Sequence, residues 1–248
     1  MTRSMDRNEG RGIEISTRDR ILEVTLTNPP DNRLTPAMVD ELNVAVGRLE
    51  AEDLDVLVIT GSRRVFSKGF DVDVMKSYTD PSELRRVLLL SNAVFSRIAR
   101  SPKLTIAAIS GACMGGGLEL AMACHLRVCA EKTRLGLPEV WLDLIPGLGG
   151  LQRLSRLVGA AKAFELVALG DLITAEDALR LNLVSRVFGQ ADFSERVASF
   201  VGGLAKTNQR AIREIISLTS RAAAPGEEDN IRLAMESFVE LLECMPRT

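Results

Sequence analysis

The chain alternates short runs of β-branched residues with amphipathic helical stretches, and this alternation constrains its fold more than any other feature. Residues 21–27 and 55–60 have the pattern of strands, and a helix is predicted to begin between them after Thr35, an N-cap residue that a proline follows. A second predicted helix begins at Pro81, and a third strand spans 104–109. Strands and helices in alternation form parallel sheets with crossover helices, so the sequence predicts an α/β architecture.

The later part of the chain is predicted to be mainly helical. A short buried helix is expected at 118–124 and a short strand at 126–130, and apolar residues then recur at helical spacing through most of the remainder. We therefore expect three segments: a flexible tail at 1–12, a core domain at 13–190, and a helical C-terminal region at 191–248. The last segment is expected to pack on the core or on a neighbouring subunit.

Charge and cysteine usage exclude several classes of function. The 31 basic residues are balanced by 33 acidic ones, without the excess of lysine and arginine that binding to a phosphate backbone requires. The four cysteines have neither CxxC nor CxxH spacing, and the chain has one histidine. Neither nucleic acid nor a bound metal is therefore an expected partner.

No segment has the pattern of a membrane anchor or a secretory signal. The polar start of the chain lacks an apolar stretch behind it. Residues 106–124 carry Glu119 as their one formal charge, but Gly111 and the glycines at 115–117 would interrupt a spanning helix. We expect a soluble, cytoplasmic protein.

The glycine-rich segments do not match nucleotide-binding templates. Residues 111–117 lack the Lys-Ser/Thr ending of a P-loop, and 147–150 lack the spacing of a dinucleotide fingerprint. The Gly-x-Ser-x-Gly motif of hydrolases is absent, and His125 is interpreted as a structural residue.

Two acidic residues stand in unusually apolar surroundings. Glu119 follows three glycines, and Glu139 follows a Leu-Pro pair. Each could simply cap the start of a helix. If instead the two converge in a water-poor cleft, their pKa values can separate, so that one acts as a base and the other as an acid on a shared water.

Several segments in order resemble the crotonase, or enoyl-CoA hydratase/isomerase, family between residues 13 and 188. They are NPPDNRLT at 28–35, VFSKGFDV at 65–72, the glycine-rich stretch 111–120, LPE at 137–139 and IPGLGGLQRL at 145–154. The resemblance implies an α/β fold that is a spiral of repeated ββα units with a helical C-terminal part. It also implies an acyl-CoA or acyl-carrier thioester substrate, no cofactor beyond the coenzyme A of that substrate, and assembly as a homotrimer or hexamer.

The resemblance further implies the composition of an active site. The backbone N–H groups of Phe70 and Gly116 would form an oxyanion hole for the thioester oxygen, with Glu119 as base and Glu139 as acid. The remaining residues expected to bind substrate are Lys68, Gly69, Asp71, Val72, Gly115, Pro138 and Gly147. Because both glutamates are present, the favoured activity is enoyl-CoA hydratase. The alternatives are dehydration or decarboxylation on an acyl carrier protein, double-bond isomerisation, or a catalytically idle binding protein.

Three positions depart from the family pattern. Phe70 stands where alanine is frequent, so its ring could narrow the acyl pocket. Lys68 replaces a small residue and could meet a phosphate of coenzyme A or be solvated. Asp143 replaces a glycine; a helix-capping role is favoured over a polar group acting on the substrate.

Overall fold

The computed structural model describes residues 12–221 and, beyond them, 231–232, 235–236, 238–239 and 243. The predicted tail at 1–12 lies outside the described residues except for Gly12, and so does most of the segment after 221. No helix among the described residues is long and apolar enough to cross a membrane.

The described residues form ten strands and nine α-helices, with one short 3-10 helix at Glu139–Leu142. The strands are β1 (Ile13–Arg18), β2 (Ile21–Leu26), β3 (Val56–Thr60), β4 (Val65–Ser67), β5 (Leu104–Ile109), β6 (Ala112–Met114), β7 (Leu126–Ala130), β8 (Arg134–Gly136), β9 (Ile173–Thr174) and β10 (Arg186–Phe188). The helices are α1 (Pro36–Ala51), α2 (Val72–Ser77), α3 (Pro81–Ala99), α4 (Gly116–Ala123), α5 (Gly150–Val158), α6 (Ala160–Leu169), α7 (Ala175–Arg180), α8 (Phe193–Ala205) and α9 (Gln209–Arg221).

The strands form two sheets. The larger has the order β1-β2-β3-β5-β7-β10 and is parallel except for the β1–β2 pair. The smaller has the order β4-β6-β8-β9 and is parallel except for its β8–β9 pair. Three times along the chain, two consecutive strands are followed by a helix. The first strand of each pair lies in the larger sheet and the second in the smaller; the pairs are β3 and β4, β5 and β6, and β7 and β8. The predicted α/β fold of repeated ββα units is therefore confirmed.

The four strands predicted from the sequence are β2, β3, β5 and β7 of the larger sheet, whereas its edge strands β1 and β10 and the four strands of the smaller sheet are not predicted. β5 and most of β3 are buried on both faces, which explains their continuous apolar runs. The strands of the smaller sheet are only two or three residues long. Such short segments cannot show a two-residue periodicity, so local pattern could not reveal them.

Apolar side chains cover both faces of the larger sheet. On one face α1, α3 and α4 enclose the main core, and on the other α8 and α9 cover a second cluster. Helix α1 begins as predicted, since the hydroxyl of Thr35 accepts a hydrogen bond from the N–H of Met38 (3.3 Å). Helix α4 begins at Gly116, two residues before the predicted start, directly after the turn that leaves β6. This turn brings the start of α4 against β4: a Cβ added at Gly117 would lie 2.6 Å from the carbonyl oxygen of Ser67.

Candidate active site

A cavity of about 80 Å³ is enclosed by four parts of the chain. They are the segment after β4, the start of α4, the 3-10 helix and the segment before α5. All the site residues predicted from the sequence line it except Asp71. They are Lys68, Gly69, Phe70, Val72, Gly115, Gly116, Glu119, Pro138, Glu139 and Gly147. A larger cavity of about 270 Å³ lies on the opposite face of the larger sheet beside α8, but it contains none of these residues. We therefore place the candidate site in the smaller cavity.

Two backbone N–H groups lie side by side in its wall. Leu34 donates to the carbonyl of Gly69 (2.8 Å) and accepts from the N–H of Asp71 (3.0 Å), so the N–H of Phe70 between them stays out of this ladder. Gly116 is the first residue of α4, so its N–H has no intrahelical acceptor. A Cβ added at Gly116 would lie 3.2 Å from the nitrogen of Phe70, which shows how close the two amides are.

Gly115 has to be a glycine for two reasons. Its φ is +51°, a conformation that residues with a side chain rarely adopt. A Cβ added there would also lie 3.1 Å from Oε1 of Glu139. The glycine thus lets the turn before α4 approach the carboxylate on the 3-10 helix.

Glu119 is buried in α4, where its side chain is 2% exposed. Its Oε1 accepts hydrogen bonds from the N–H groups of Leu148 and Gly150, both at 2.8 Å. The carboxylate thus binds the loop residue Leu148 and the first residue of α5 and not the start of its own helix α4. Burial raises the pKa of Glu119, while the two N–H groups and the charge of Arg153 oppose the rise.

Glu139, the first residue of the 3-10 helix, has a different environment. Its Oε2 is buried and has no hydrogen-bond partner among the described residues. Burial raises the pKa of this carboxyl, and the negative charge of Glu119 raises it further. The two carboxyl groups therefore share one cavity, and the surroundings stabilise the ionised form of Glu139 less than that of Glu119.

Two further polar residues predicted for the site, Lys68 and Asp71, have local partners. Nζ of Lys68 contacts Oδ1 of Asp31 (2.8 Å), and this contact lowers the pKa of the Asp31 carboxyl. Asp71 caps α2 by accepting from the N–H of Asp73 (3.0 Å), so its side chain supports the start of this helix and does not line the cavity.

Asp143 corrects the sequence-based expectation of a capping side chain. It lies at the end of the 3-10 helix with φ at +56°, and the residue is exposed. Its backbone N–H donates to the carbonyl of Val140 (3.1 Å). The position needs a left-handed conformation, which glycine adopts freely and aspartate tolerates, so the departure from the family pattern is conformational.

His125 is a structural residue, as expected. Its Nδ1 contacts Thr105 at the start of β5 (3.0 Å), and burial lowers its pKa to about 4. The ring is therefore neutral near pH 7, and it does not line the cavity.

Sequence reasoning missed several members of the cavity wall. Leu88, Leu144, Leu148 and Phe238 line the cavity, but no sequence motif connects them with the site. They come from α3, from the segments on either side of Gly147, and from the C-terminal part of the chain. Apolar residues of this kind carry no local signal that separates a cavity wall from ordinary core.

Comparison with known proteins agrees with this geometry. The family model for enoyl-CoA hydratase/isomerase matches residues 16–244. A probable enoyl-CoA hydratase of Bacillus subtilis is 34% identical over 233 residues, which are 93% of this chain and 90% of that protein.

Solved structures give the same result. The structure from Geobacillus kaustophilus described as an enoyl-CoA hydratase superposes with a TM-score of 0.85 at 30% identity, covering 98% of this chain and 92% of that one. The enoyl-CoA hydratase of Bacillus halodurans superposes with a TM-score of 0.86 at 25% identity, covering 94% and 95%. A match over most of the sequence, together with the fold, establishes that this chain belongs to the enoyl-CoA hydratase/isomerase family, the crotonases.

Proposed function

We propose that this protein is an enoyl-CoA hydratase that adds water reversibly, in syn geometry, across the α,β double bond of an enoyl thioester. The observation that carries the proposal is the meeting of two carboxyl groups and two unused backbone N–H groups in one small cavity. Relatives with hydratase names support the proposal. The same amide pair would also serve the alternative reactions.

The amide pair would act on the thioester oxygen. When hydroxide adds to the β-carbon, negative charge builds up on this oxygen as an enolate. The N–H groups of Phe70 and Gly116, fixed by the ladder to Leu34 and by the start of α4, would then stabilise the transition state more than the ground state. One such donor contributes about 3 to 4 kcal/mol in other enzymes. The dipole of α4 would add to the stabilisation.

The two glutamates would divide the proton transfers. Glu119 keeps its charge with the help of two N–H donors, so it would take a proton from water as the hydroxide adds to the β-carbon. Glu139, whose pKa is raised by burial and by Glu119, would be protonated and would give its proton to the α-carbon. The backbone of Gly147 and the surrounding residues would position the thioester and the water.

The decisive experiment is the loss of absorbance of crotonyl-CoA in the presence of the wild-type protein and its Glu119→Gln and Glu139→Gln variants. We expect turnover by the wild type and a loss of about 100-fold or more in each variant, because general acid and base catalysis contribute factors of this size. Circular dichroism would show whether the variants fold like the wild type. Turnover that survives in both variants would contradict the two-carboxylate mechanism.

Other thioesters distinguish the alternatives. A wild-type protein that leaves crotonyl-CoA unchanged, but acts on carrier-protein thioesters or moves a double bond, would be another crotonase enzyme. Inactivity on all of them would favour a binding role.

Assembly as a homotrimer or hexamer and a cytoplasmic location stay predictions from the resemblance and from the sequence. Trp141 and Phe164, which are 66% and 72% exposed in the single chain, are candidates for subunit contacts. Sedimentation of the purified protein tests the assembly.

A further inference from the structure

A buried asparagine on α3 contacts the loop that holds Glu119. Asn92 is 6% exposed, and its amide nitrogen donates both to the carbonyl of Leu88 in its own helix and to the carbonyl of Gly147, each at 3.0 Å. Its amide oxygen is buried without a partner among the described residues. A buried polar group with an unsatisfied acceptor costs stability, so its contact with Gly147 calls for an explanation beyond the packing of α3.

The contact reaches Glu119 through a single peptide group. The carbonyl oxygen of Gly147 and the N–H of Leu148 belong to the same rigid plane. Asn92 binds the oxygen end of this plane (3.0 Å), and the nitrogen end donates to Oε1 of Glu119 (2.8 Å). A hydrogen bond to a carbonyl polarises the N–H of the same amide and strengthens the bond that this N–H donates.

Neighbouring contacts hold the same loop from other sides. Nη1 of Arg153 donates to the carbonyl of Leu148 (2.6 Å), and the N–H of Gly150 donates to Glu119. Both of these contacts come from residues of α5, whereas Asn92 contacts the loop from α3. The orientation of the Gly147 carbonyl is thus set by a helix that carries none of the predicted site residues.

We propose that Asn92 is a positioning residue for Glu119. Through the peptide group between Gly147 and Leu148 it fixes the direction of an N–H donor and favours the ionised form of the carboxylate. The effect on turnover rests on the proposed hydratase function, whereas the effect on the ionisation of Glu119 does not.

Three other charged groups face the same cavity or the same carboxylate. Glu139 on the 3-10 helix shares the cavity with Glu119, whose charge raises the pKa of Glu139, and the charge of Arg153 on α5 lowers the pKa of Glu119. Lys68 lines the cavity and contacts Asp31. None of them contacts the Asn92 side chain in a described hydrogen bond or ion pair, so a change at Asn92 leaves their own charges in place.

The test uses Asn92→Ser with Ser91→Ala as its control. Serine at 92 can still bond back to its own helix, as Ser91 does to the carbonyl of Val87 (2.8 Å), but it is too short to reach Gly147. Ser91 is also buried on the same helix, and its described hydrogen bond goes to Val87 instead of Gly147. Asn92→Leu, which removes the donor but keeps the branching and the number of side-chain heavy atoms, serves as a second variant.

Two readouts are needed. The first is the pH dependence of kcat and kcat/KM with crotonyl-CoA. The second is the titration of the Glu119 carboxyl by carbon-13 NMR with labelled glutamate, assigned through Glu119→Gln. The titration decides the proposal even if the thioester is not turned over, so failure of the proposed function and failure of this inference are distinguishable.

We expect Asn92→Ser to lower kcat about tenfold or more while KM stays within about twofold, since a misplaced base affects the chemical step most. The pKa of Glu119 and the acidic limb of the kcat/KM profile should move to higher pH, because the carboxylate loses support for its charge. Ser91→Ala should change neither. An Asn92 variant that is merely less stable, with an unchanged Glu119 titration and pH profile, would show that the residue is structural and overturn the proposal.

Discussion

Glu119 and Glu139 show how two identical side chains acquire different properties from their surroundings. Both are withdrawn from water in one cavity, but Glu119 has two N–H donors at 2.8 Å and a nearby arginine, whereas the buried Oε2 of Glu139 has no partner among the described residues. Burial opposes both charges, and for Glu119 the hydrogen bonds partly offset this effect. In the proposed mechanism, this difference makes Glu119 the base and Glu139 the acid.

This difference predicts a pH dependence. Since the proposed mechanism requires ionised Glu119 and protonated Glu139, kcat/KM should be bell-shaped, and both limbs should lie above the ordinary range of glutamate because both pKa values are raised. A profile that is flat from about pH 5 to 9 would contradict the assignment.

Stability should also depend on Glu139. A carboxyl whose pKa is raised in the folded state favours folding below its unfolded pKa and loses this contribution as pH rises through the folded pKa. Glu139→Gln should therefore gain stability relative to the wild type as the pH is raised from about 4 to above neutrality. Urea unfolding at several pH values measures the change, and an unchanged difference across this range would exclude a raised pKa.

Phe70 should limit the acyl chain. Its backbone N–H lies beside that of Gly116 and its ring lines the cavity, whose volume of about 80 Å³ is close to that of three water molecules in the liquid. Phe70→Ala should keep the N–H and raise the activity on eight-carbon relative to four-carbon enoyl-CoA. Val44→Ala, which shortens an exposed side chain on α1 that does not line the cavity, is the control. An unchanged chain-length preference in Phe70→Ala would place the acyl group elsewhere.

At the scale of elements, the site depends on the turn that joins β6 to α4. This turn brings the N-terminus of α4, and with it the N–H of Gly116, beside the backbone of Phe70. The same helix carries Glu119 one turn later, so donor and carboxylate are placed by one rigid element. A change in the turn should therefore affect both.

Gly115→Ala tests this dependence. The side chain would be strained at φ +51° and would press on Glu139, so we expect a loss of about 1 to 2 kcal/mol in stability and a loss of activity of about 100-fold. Gly202→Ala in α8, where an added Cβ meets nothing within 4 Å, should instead stabilise the protein slightly and leave activity unchanged. Thermal unfolding and crotonyl-CoA turnover measure both, and an active Gly115→Ala protein would show that the turn tolerates a side chain.

At the scale of the whole molecule, the C-terminal part of the chain completes the cavity. Phe238 lines it, and a Cβ added at Gly147 would lie 2.9 Å from the Phe238 ring. Glu236 contacts Arg85 on α3 (2.7 Å), which ties this part of the chain to the helix that carries Asn92. Residues more than a hundred positions apart thus enclose the same space.

Phe238→Ala should open the cavity. We expect a higher KM for crotonyl-CoA and a loss of about 3 kcal/mol or more in stability, as for other buried phenylalanines replaced by alanine. Steady-state kinetics and chemical unfolding check these effects. An unchanged KM would show that the substrate does not touch this wall.

Short-range patterns in the sequence predicted the central strands and the longer helices, and the resemblance of its motifs to the family supplied the candidate site residues. The N-cap at Thr35, the proline at position 81 and the apolar run 104–109 act within a few residues, and the order of the motifs indicated the family. Only the tertiary structure decided the short strands of the second sheet, the bonds from Glu119 to Leu148 and Gly150, and the contact between Asn92 and Gly147. These contacts join residues 29, 31 and 55 positions apart, and a hydrogen bond depends on distance and direction in space, which local propensity does not encode.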